Sequence, residues 1–312
     1  MINRRHIRVK VMQSVYALTT SNSDNLVKEE NFLKNSIEKM YDLYVLMIDT
    51  LPRIQNLAKE QIEISKKKHF ATEEDLNPNT KFINNRVLRL IQDSVSFQTY
   101  KEEHDLNNWY VEEKYIRTIY EHLMKSTLYK KYIENESTSF KEDVKFIINV
   151  YSDFIAPNEK LADYFEDLNI SWVDDIPFVN TWVVKTLQGM TENKSLVLGT
   201  IYKDQDDKEF VSDLFRKTVL KDKEFEKDIA DKTPNWERDR IAGLDIILIK
   251  MGICEFLNFP SIPTKASINE YIELAKDYST PKSGFFINGV LDMLCKEFEQ
   301  TGRLNKIGRG RI

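Results

Sequence analysis

The chain has 312 residues, of which 41% are hydrophobic and 30% charged, with only nine glycines and eight prolines. That is the composition of a globular chain that favours helix over sheet. No apolar run approaches the roughly 20 residues that span a bilayer, and the N-terminus lacks a signal peptide's apolar core, so a cytoplasmic protein with no membrane partner is expected. A net charge of -5, from 45 basic and 50 acidic residues, argues against nucleic-acid binding over the whole surface. The charge is unevenly spread, however. No acid occurs from Met1 to Ser23, where Arg4, Arg5, Arg8 and Lys10 stand, and the tail after Gln300 carries Arg303, Lys306, Arg309 and Arg311 without an acid. This is a local basic footprint at the two ends.

Residues 4–20 predict a helix with Ile7, Val11, Val15 and Leu18 on one face. A long helix follows over 28–66, anchored by Phe32, Ile37, Met40, Leu43, Leu46 and Met47, with Pro52 expected to kink or split it. Its basic end, Lys66 to Lys68, suits the helix dipole. Further helical patterns cover about 80–104, 109–132, 140–155, 157–168 and 174–190, the last containing Phe178, Trp182, Val183 and Leu187. After a polar, turn-rich stretch over 191–208, Phe210, Leu214, Phe215 and Val219 restart a helix that leads through 222–230.

From Arg238 to Leu294 the spacing predicts three helices joined by proline-marked turns. Ile241, Leu244, Ile247, Leu248, Met251 and Phe256 form the first stripe, which Pro260 and Pro263 close. Ile268, Ile272, Leu274 and Ala275 form the second, with Ser267 and Glu270 at capping-box spacing. Phe286, Val290, Leu291 and Leu294 form the third. Gly289 inside it points to a close helix crossing, because a mid-helix glycine otherwise costs about 1 kcal/mol against alanine.

Cys254 and Cys295 lie in helical patterns without a CxxC or Cys/His array, and His6, His69, His104 and His122 are scattered. With no nucleophile elbow, P-loop or dinucleotide fingerprint, neither a cofactor, a metal nor an enzyme is expected. The basic run Arg4, Arg5, His6, Arg8 and Lys10 has two readings. Guanidinium groups contact phosphates and stack on splayed bases; the same run is also an ordinary solvated helix start. Arg8 falls angularly between Met12 and Val15, so it can instead reach a carboxylate at the edge of the core. Lys282, Ser283 and the free N–H groups of the following helix offer a phosphate site, or Ser283 simply caps the helix. Phe285 and Phe286 are adjacent and cannot both face one core, so one packs inward while the other is open to a base. Periodicity with Val290 turns Phe286 inward. Asn288 either reads a base edge or bridges helices. The tail's glycines and arginines bury nothing, so it either extends a nucleic-acid path or stays disordered.

The segment SINEYIELAKDYS from Ser267, followed by SGFFINGVLD from Ser283 to Asp292, resembles the end of the NusB transcription antitermination family. RRHIRVKVMQSVYAL from Arg4 to Leu18, with Gln13 and Tyr16, looks like that family's opening helix, and FVSDLFRKTVL from Phe210 looks like its third. The resemblance covers about 1–20 and 208–298. It implies an all-α protein, a NusB-like helical bundle with a large helical insertion after the first helix. Residues 1–20 would be the first helix with a basic RNA-binding motif, 21–207 the insertion, 208–298 the C-terminal core and 299–312 a basic tail. It further implies an assembly factor that binds boxA-type single-stranded RNA with the NusE-type ribosomal protein, in the RNA polymerase antitermination complex that supports rRNA transcription. The implied RNA contacts are Arg4, Arg5, Arg8, Lys10, Gln13, Lys282, Ser283, Phe286 and Asn288, with Phe286 as the exposed stacker. Glu255, at the acid of the family's tyrosine-glutamate-leucine step, would pair with Arg8, accept from a base or touch the protein partner; Glu270 would also face that partner. Homodimers occur among some relatives. A different reading makes the chain a helical protein-interaction module whose main surface is the insertion. An RNA cytosine methyltransferase, in which a NusB-like domain is fused to a catalytic one, is set aside because no glycine-rich cofactor loop is present.

Overall fold

The computed structural model describes residues 1–21, 25–137, 139–233 and 242–311, and every regular element among them is helical. In chain order these are α1 (Arg4–Ser21), α2 (Leu26–Lys66), α3 (Glu73–Leu76), α4 (Arg86–Gln92), α5 (Val95–Glu103), α6 (Asn108–Val111), α7 (Glu113–Lys125) and α8 (Thr127–Glu134). They continue as α9 (Phe140–Val150), α10 (Glu159–Leu168), α11 (Ile176–Gln188), α12 (Gln205–Leu220), α13 (Asp222–Lys232), α14 (Gly243–Asn258), α15 (Thr264–Tyr278) and α16 (Ser283–Gln300). The chain divides into two compact units, one of residues 1–37 with 201–312 and one of 38–200. Among the described residues no helix is long and apolar enough to cross a membrane.

The long α2, most of which lies in the unit of 38–200, is one helix with Pro52 inside it, where a kink or split was expected. Leu43, Leu46, Met47, Ile48, Leu51 and Ile54 are buried along it. Hydroxyl and amide caps divide the shorter helices where apolar periodicity reads straight through. Asn85 accepts from the N–H groups of Val87 and Leu88, Ser94 from Phe97 N and Ser126 from Tyr129 N. The patterns over 80–104 and 109–132 therefore each break into separate helices, because a side-chain oxygen satisfies the amides that a new helix start leaves open.

The unit of 1–37 and 201–312 is built around α14, whose residues from Ile247 to Phe256 are all buried. α1 packs on α12 and α14 through Ile7, Val11, Met12 and Val15, and α15 and α16 pack on α14 and on each other. Phe32, expected as an anchor, is 54% exposed, and the neighbouring Leu33 is buried in its place. Ile241 and the residues from Arg238 lie outside the described residues. α15 begins at Thr264, so Ser267 is inside the helix instead of capping it; Ser267, Tyr271, Leu274 and Ala275 are its buried side. Ile268 and Ile272 are half-buried.

The close helix crossing lies at Gly252 of α14 instead of Gly289. A Cβ on Gly252 would stand 2.8 Å from Leu291 Cδ2 of α16 and 3.4 Å from Tyr271 of α15, whereas one on Gly289 would meet nothing within 4 Å. The tail is also seated, not loose. Arg303 forks onto Asp228 at 2.9 and 3.0 Å and reaches Glu224 at 3.1 Å. Lys306 Nζ donates to the carbonyls of Glu255 (3.1 Å) and Phe259 (3.0 Å), and Ile307 N donates to Pro260 O. These are carbonyls at and just past the C-terminus of α14, where a helix lacks internal donors and a cation is favoured.

Candidate nucleic-acid interface

The basic start of α1 runs beside α15 and the C-terminal half of α14, and most of its cations are engaged there. Arg8 is 4% exposed and forks onto Glu255 with Nε···Oε1 at 2.6 Å and Nη2···Oε2 at 3.0 Å. Ser267 Oγ and Tyr271 Oη each donate to the same carboxylate at 2.6 Å, so Glu255, itself fully buried, receives four hydrogen bonds. Burial opposes the charge on Arg8, but the adjacent Glu255 charge and its hydrogen bonds outweigh it and push the guanidinium pKa above its usual value. Burial, with Glu255 alongside, pushes the Tyr271 hydroxyl well up, so it remains a donor. The fork, the hydroxyls and the low exposure make this a fully satisfied ionic hub.

Around the hub the exposure rises. Arg5, with half its side chain exposed, forks onto Glu270 at 2.9 Å on both arms. The hydrogen bond from Arg5 holds the Glu270 carboxyl below its ordinary range despite partial burial, with Arg8 adding to the effect. Arg4 Nε pairs with Asp207 at 2.7 Å, and its guanidinium lies 5.1 Å from the centre of the Phe210 ring, which Arg8 also approaches at 5.5 Å.

A second polar group forms where α15 ends and α16 begins. Asp245, in the first turn of α14, accepts from Ser279 Oγ at 2.6 Å and Ser283 Oγ at 2.7 Å. Ser283 Oγ also takes the Thr280 N–H at 3.2 Å, which closes the turn. Outward from this turn stand Lys282, Phe285 and Asn288, all exposed. Phe285 is 84% exposed, whereas Phe286 is half-buried. Ile287 is the buried member one turn before Val290 and Leu291, so the inward face passes beside Phe286 and turns Phe285 to solvent.

Of the expected nucleic-acid contacts, Arg4, Arg5, Lys282 and Asn288 are therefore accessible and Gln13 is half-buried. Four expectations are corrected. Arg8 is held by Glu255, Lys10 is 1% exposed, and Ser283 is turned inward onto Asp245. Phe285, and not Phe286, is the exposed ring. Of the three readings of Glu255 the structure shows the pair with Arg8, and its place on the partner side is corrected, since a fully buried carboxylate with four donors has nothing left to offer a protein. Glu270 keeps 24% of its side chain exposed. Sequence reading missed Asp207, Phe210, Asp245, Ser267 and Tyr271 as members of these groups. Ser279 and Ser283, four apart across a turn, carried a faint signal; the others look like ordinary helix residues.

Residues 179–296 match the model of the NusB family. The Transcription antitermination protein NusB of Salinibacter ruber is 42% identical over 118 residues, which are 38% of this chain and 74% of that protein. The chain belongs to the NusB family. Proteins of the same name from Chloroherpeton thalassium (36% over 119 residues, 38% of this chain and 56% of that protein) and Methylacidiphilum infernorum (40% over 94 residues, 30% and 66%) are also similar. No solved structure matches. The NusB-family stretch takes in α12 to α15 and most of α16, and with them both the Glu255 hub's acid and the Asp245 turn. It begins within α11 and does not include α1, whose arginines complete the hub from outside the matched residues.

Proposed function

We propose that this NusB-family chain is an RNA-binding antitermination factor that binds boxA-type single-stranded RNA together with the NusE-type ribosomal protein and supports rRNA transcription by recruitment, with no bond made or broken. The observation that carries the reading is the exposed set Lys282, Phe285 and Asn288 at the start of α16, within the NusB-family stretch. A cation for phosphate, a ring face for a base and an amide for a base edge are the three kinds of contact that single-stranded RNA uses. Arg4 and Arg5 would add phosphate contacts, each exchanging part of its present carboxylate pairing for RNA. Phe285 takes the stacking role, and Glu270 is the acid that remains accessible to the NusE-type protein.

So few cations bind RNA weakly and lose affinity steeply with salt, because phosphate contacts release counterions. A partner that enlarges the surface should therefore tighten binding. Fluorescence anisotropy with boxA-type RNA and a scrambled control, with and without the NusE-type protein at two salt concentrations, tests this. Selective binding that the partner tightens is expected, with Phe285→Ala losing about 1 to 3 kcal/mol of it. Equal binding of both RNAs, unchanged by the partner, sinks the reading.

A further inference from the structure

At the C-terminal end of α14, cations from three parts of the chain converge on the Phe259–Pro263 turn. Lys221, at the α12–α13 corner, donates to Asn258 Oδ1 at 3.2 Å. Lys265 stands exposed in the first turn of α15. The tail brings Lys306 onto the Glu255 and Phe259 carbonyls, and Arg311 Nε onto the carbonyl of Lys306 at 2.9 Å. Gly310 fixes how the tail lies. A Cβ there would collide with the carbonyl oxygen of Pro260, so only glycine sits against the turn, and the exposed Arg309 and Arg311 flank that seat.

The bonding separates these cations from the others nearby. Arg303 is consumed by Asp228 and Glu224, Lys217 by Asp213 and Arg4 in part by Asp207. Lys221, Lys306 and Arg311 meet only neutral oxygens in their hydrogen bonds, and no described carboxylate forms an ion pair with Lys265 or Arg309. Excess positive charge is thus held against the turn at the end of α14. Burial also pulls the Lys306 pKa down, to about 8. The collar is continuous with the basic start of α1: Phe259 lies edge-on to Phe210 at 5.0 Å, and Arg4 lies over the far ring at 5.1 Å.

We propose that this collar, Lys221, Lys265, Lys306, Arg309 and Arg311, is a sequence-independent track for the phosphate backbone of single-stranded nucleic acid, extending past Arg4 the RNA surface proposed above. The inference rests on that reading for its ligand class and adds a second stretch of strand, held by charge alone. Fixed cations facing a polyanion release its counterions without reading its bases.

The test is anisotropy of a 20-nucleotide oligouridine over a salt series. It compares the unaltered chain, the triple variant K265A/R309A/R311A, and K276A/K296A, which removes two exposed cations elsewhere on the same unit. Lys306 is kept because it seats the tail. The triple variant is expected to bind at least tenfold more weakly at low salt. Its log-affinity against log-salt slope should shrink by about 2, at roughly 0.7 per single-strand phosphate contact, while K276A/K296A leaves the slope unchanged. An unchanged slope in the triple variant, equal losses in both variants, or no oligouridine binding by the unaltered chain overturns the collar. So does loss of poly-glutamate binding with oligouridine binding intact, which would mark an acidic-protein surface. A boxA-type against scrambled comparison on the unaltered chain reports separately. Lost preference with the expected slope change removes the boxA reading and leaves the collar, and kept preference with an unchanged slope does the reverse.

Discussion

Two buried carboxylates on one helix are neutralised by different means. Asp245 and Glu255 sit ten residues apart on α14, about 15 Å along its axis, at 5% and 0% exposure. Asp245 lies in the first turn, where the helix dipole favours an anion, and it accepts from two serine hydroxyls. Glu255 lies in the last turn, where the dipole opposes an anion, and it holds a buried arginine from another helix besides two hydroxyls. Position along the helix decides whether a buried acid needs a counter-ion, and the one that needs it ties α1 into the bundle.

The strongest way to break that comparison is at the hub. Glu255→Ala leaves Arg8 charged and buried without a partner and is expected to lower unfolding free energy by about 3 to 5 kcal/mol in urea titrations. Arg8→Met should cost a similar amount, and the double replacement R8M/E255M much less than the two together, because neither charge is then stranded. A double-mutant cycle that adds up simply would mean that the fork does not couple the two. Gly252→Ala ranks next, at about 1 to 3 kcal/mol from the overlap with Leu291, softened because that side chain can shift; calorimetric Tm checks it. At the other end Asp245→Asn keeps the shape and removes only the charge, so about 1 to 2 kcal/mol is expected. A loss as large as that of Glu255→Ala would contradict the dipole account.

Smaller effects fall to the rim and the tail. Arg5→Ala should cost under about 1 kcal/mol, since that pair is half-exposed and screened. Because Arg5 lowers the Glu270 pKa from its ordinary 4.5, the pair's contribution is complete above that pH and lost as pH falls through the lowered value. Stability curves of the chain and of Arg5→Ala should therefore converge in acid. Lys306 gives the same sign of pH dependence in alkali, through a charge that burial disfavours and not through one that a partner stabilises. Burial lowers its pKa from 10.5 to about 8, so the unfolded chain binds the extra proton between those values and stability rises with pH across that window. Lys306→Met should flatten the rise in denaturation measured over that range.

Much of the fold was legible because apolar spacing and proline placement are local. The burial of Ile7, Val11 and Val15 on α1, the proline-closed end of α14 and the all-helical class follow from periods and breakers within short windows; that α1 also buries Arg8 and Lys10 does not. The caps at Ser94 and Ser126 were missed because a single hydroxyl divides a helix without disturbing the apolar pattern around it. At the candidate site the residue types were legible and their directions were not. Phe285 and Phe286 differ by one step of about 100° on a helix, and only the packing of Ile287 decides which ring meets solvent.

By itself the sequence determined the helical class, the family and the placing of positive charge at the chain's two ends, since all three are carried by residue order. Tertiary structure alone decided which of those charges remain available. Arg303 looks like Arg309 when read in line, but Arg303 meets Asp228 and Glu224 while Arg309 pairs with no described carboxylate; Arg8, whose angle only allowed a carboxylate partner, meets Glu255. A cation's availability depends on partners far along the chain, such as Arg303 with Asp228 (75 apart) and Arg8 with Glu255 (247 apart), and no local pattern encodes them.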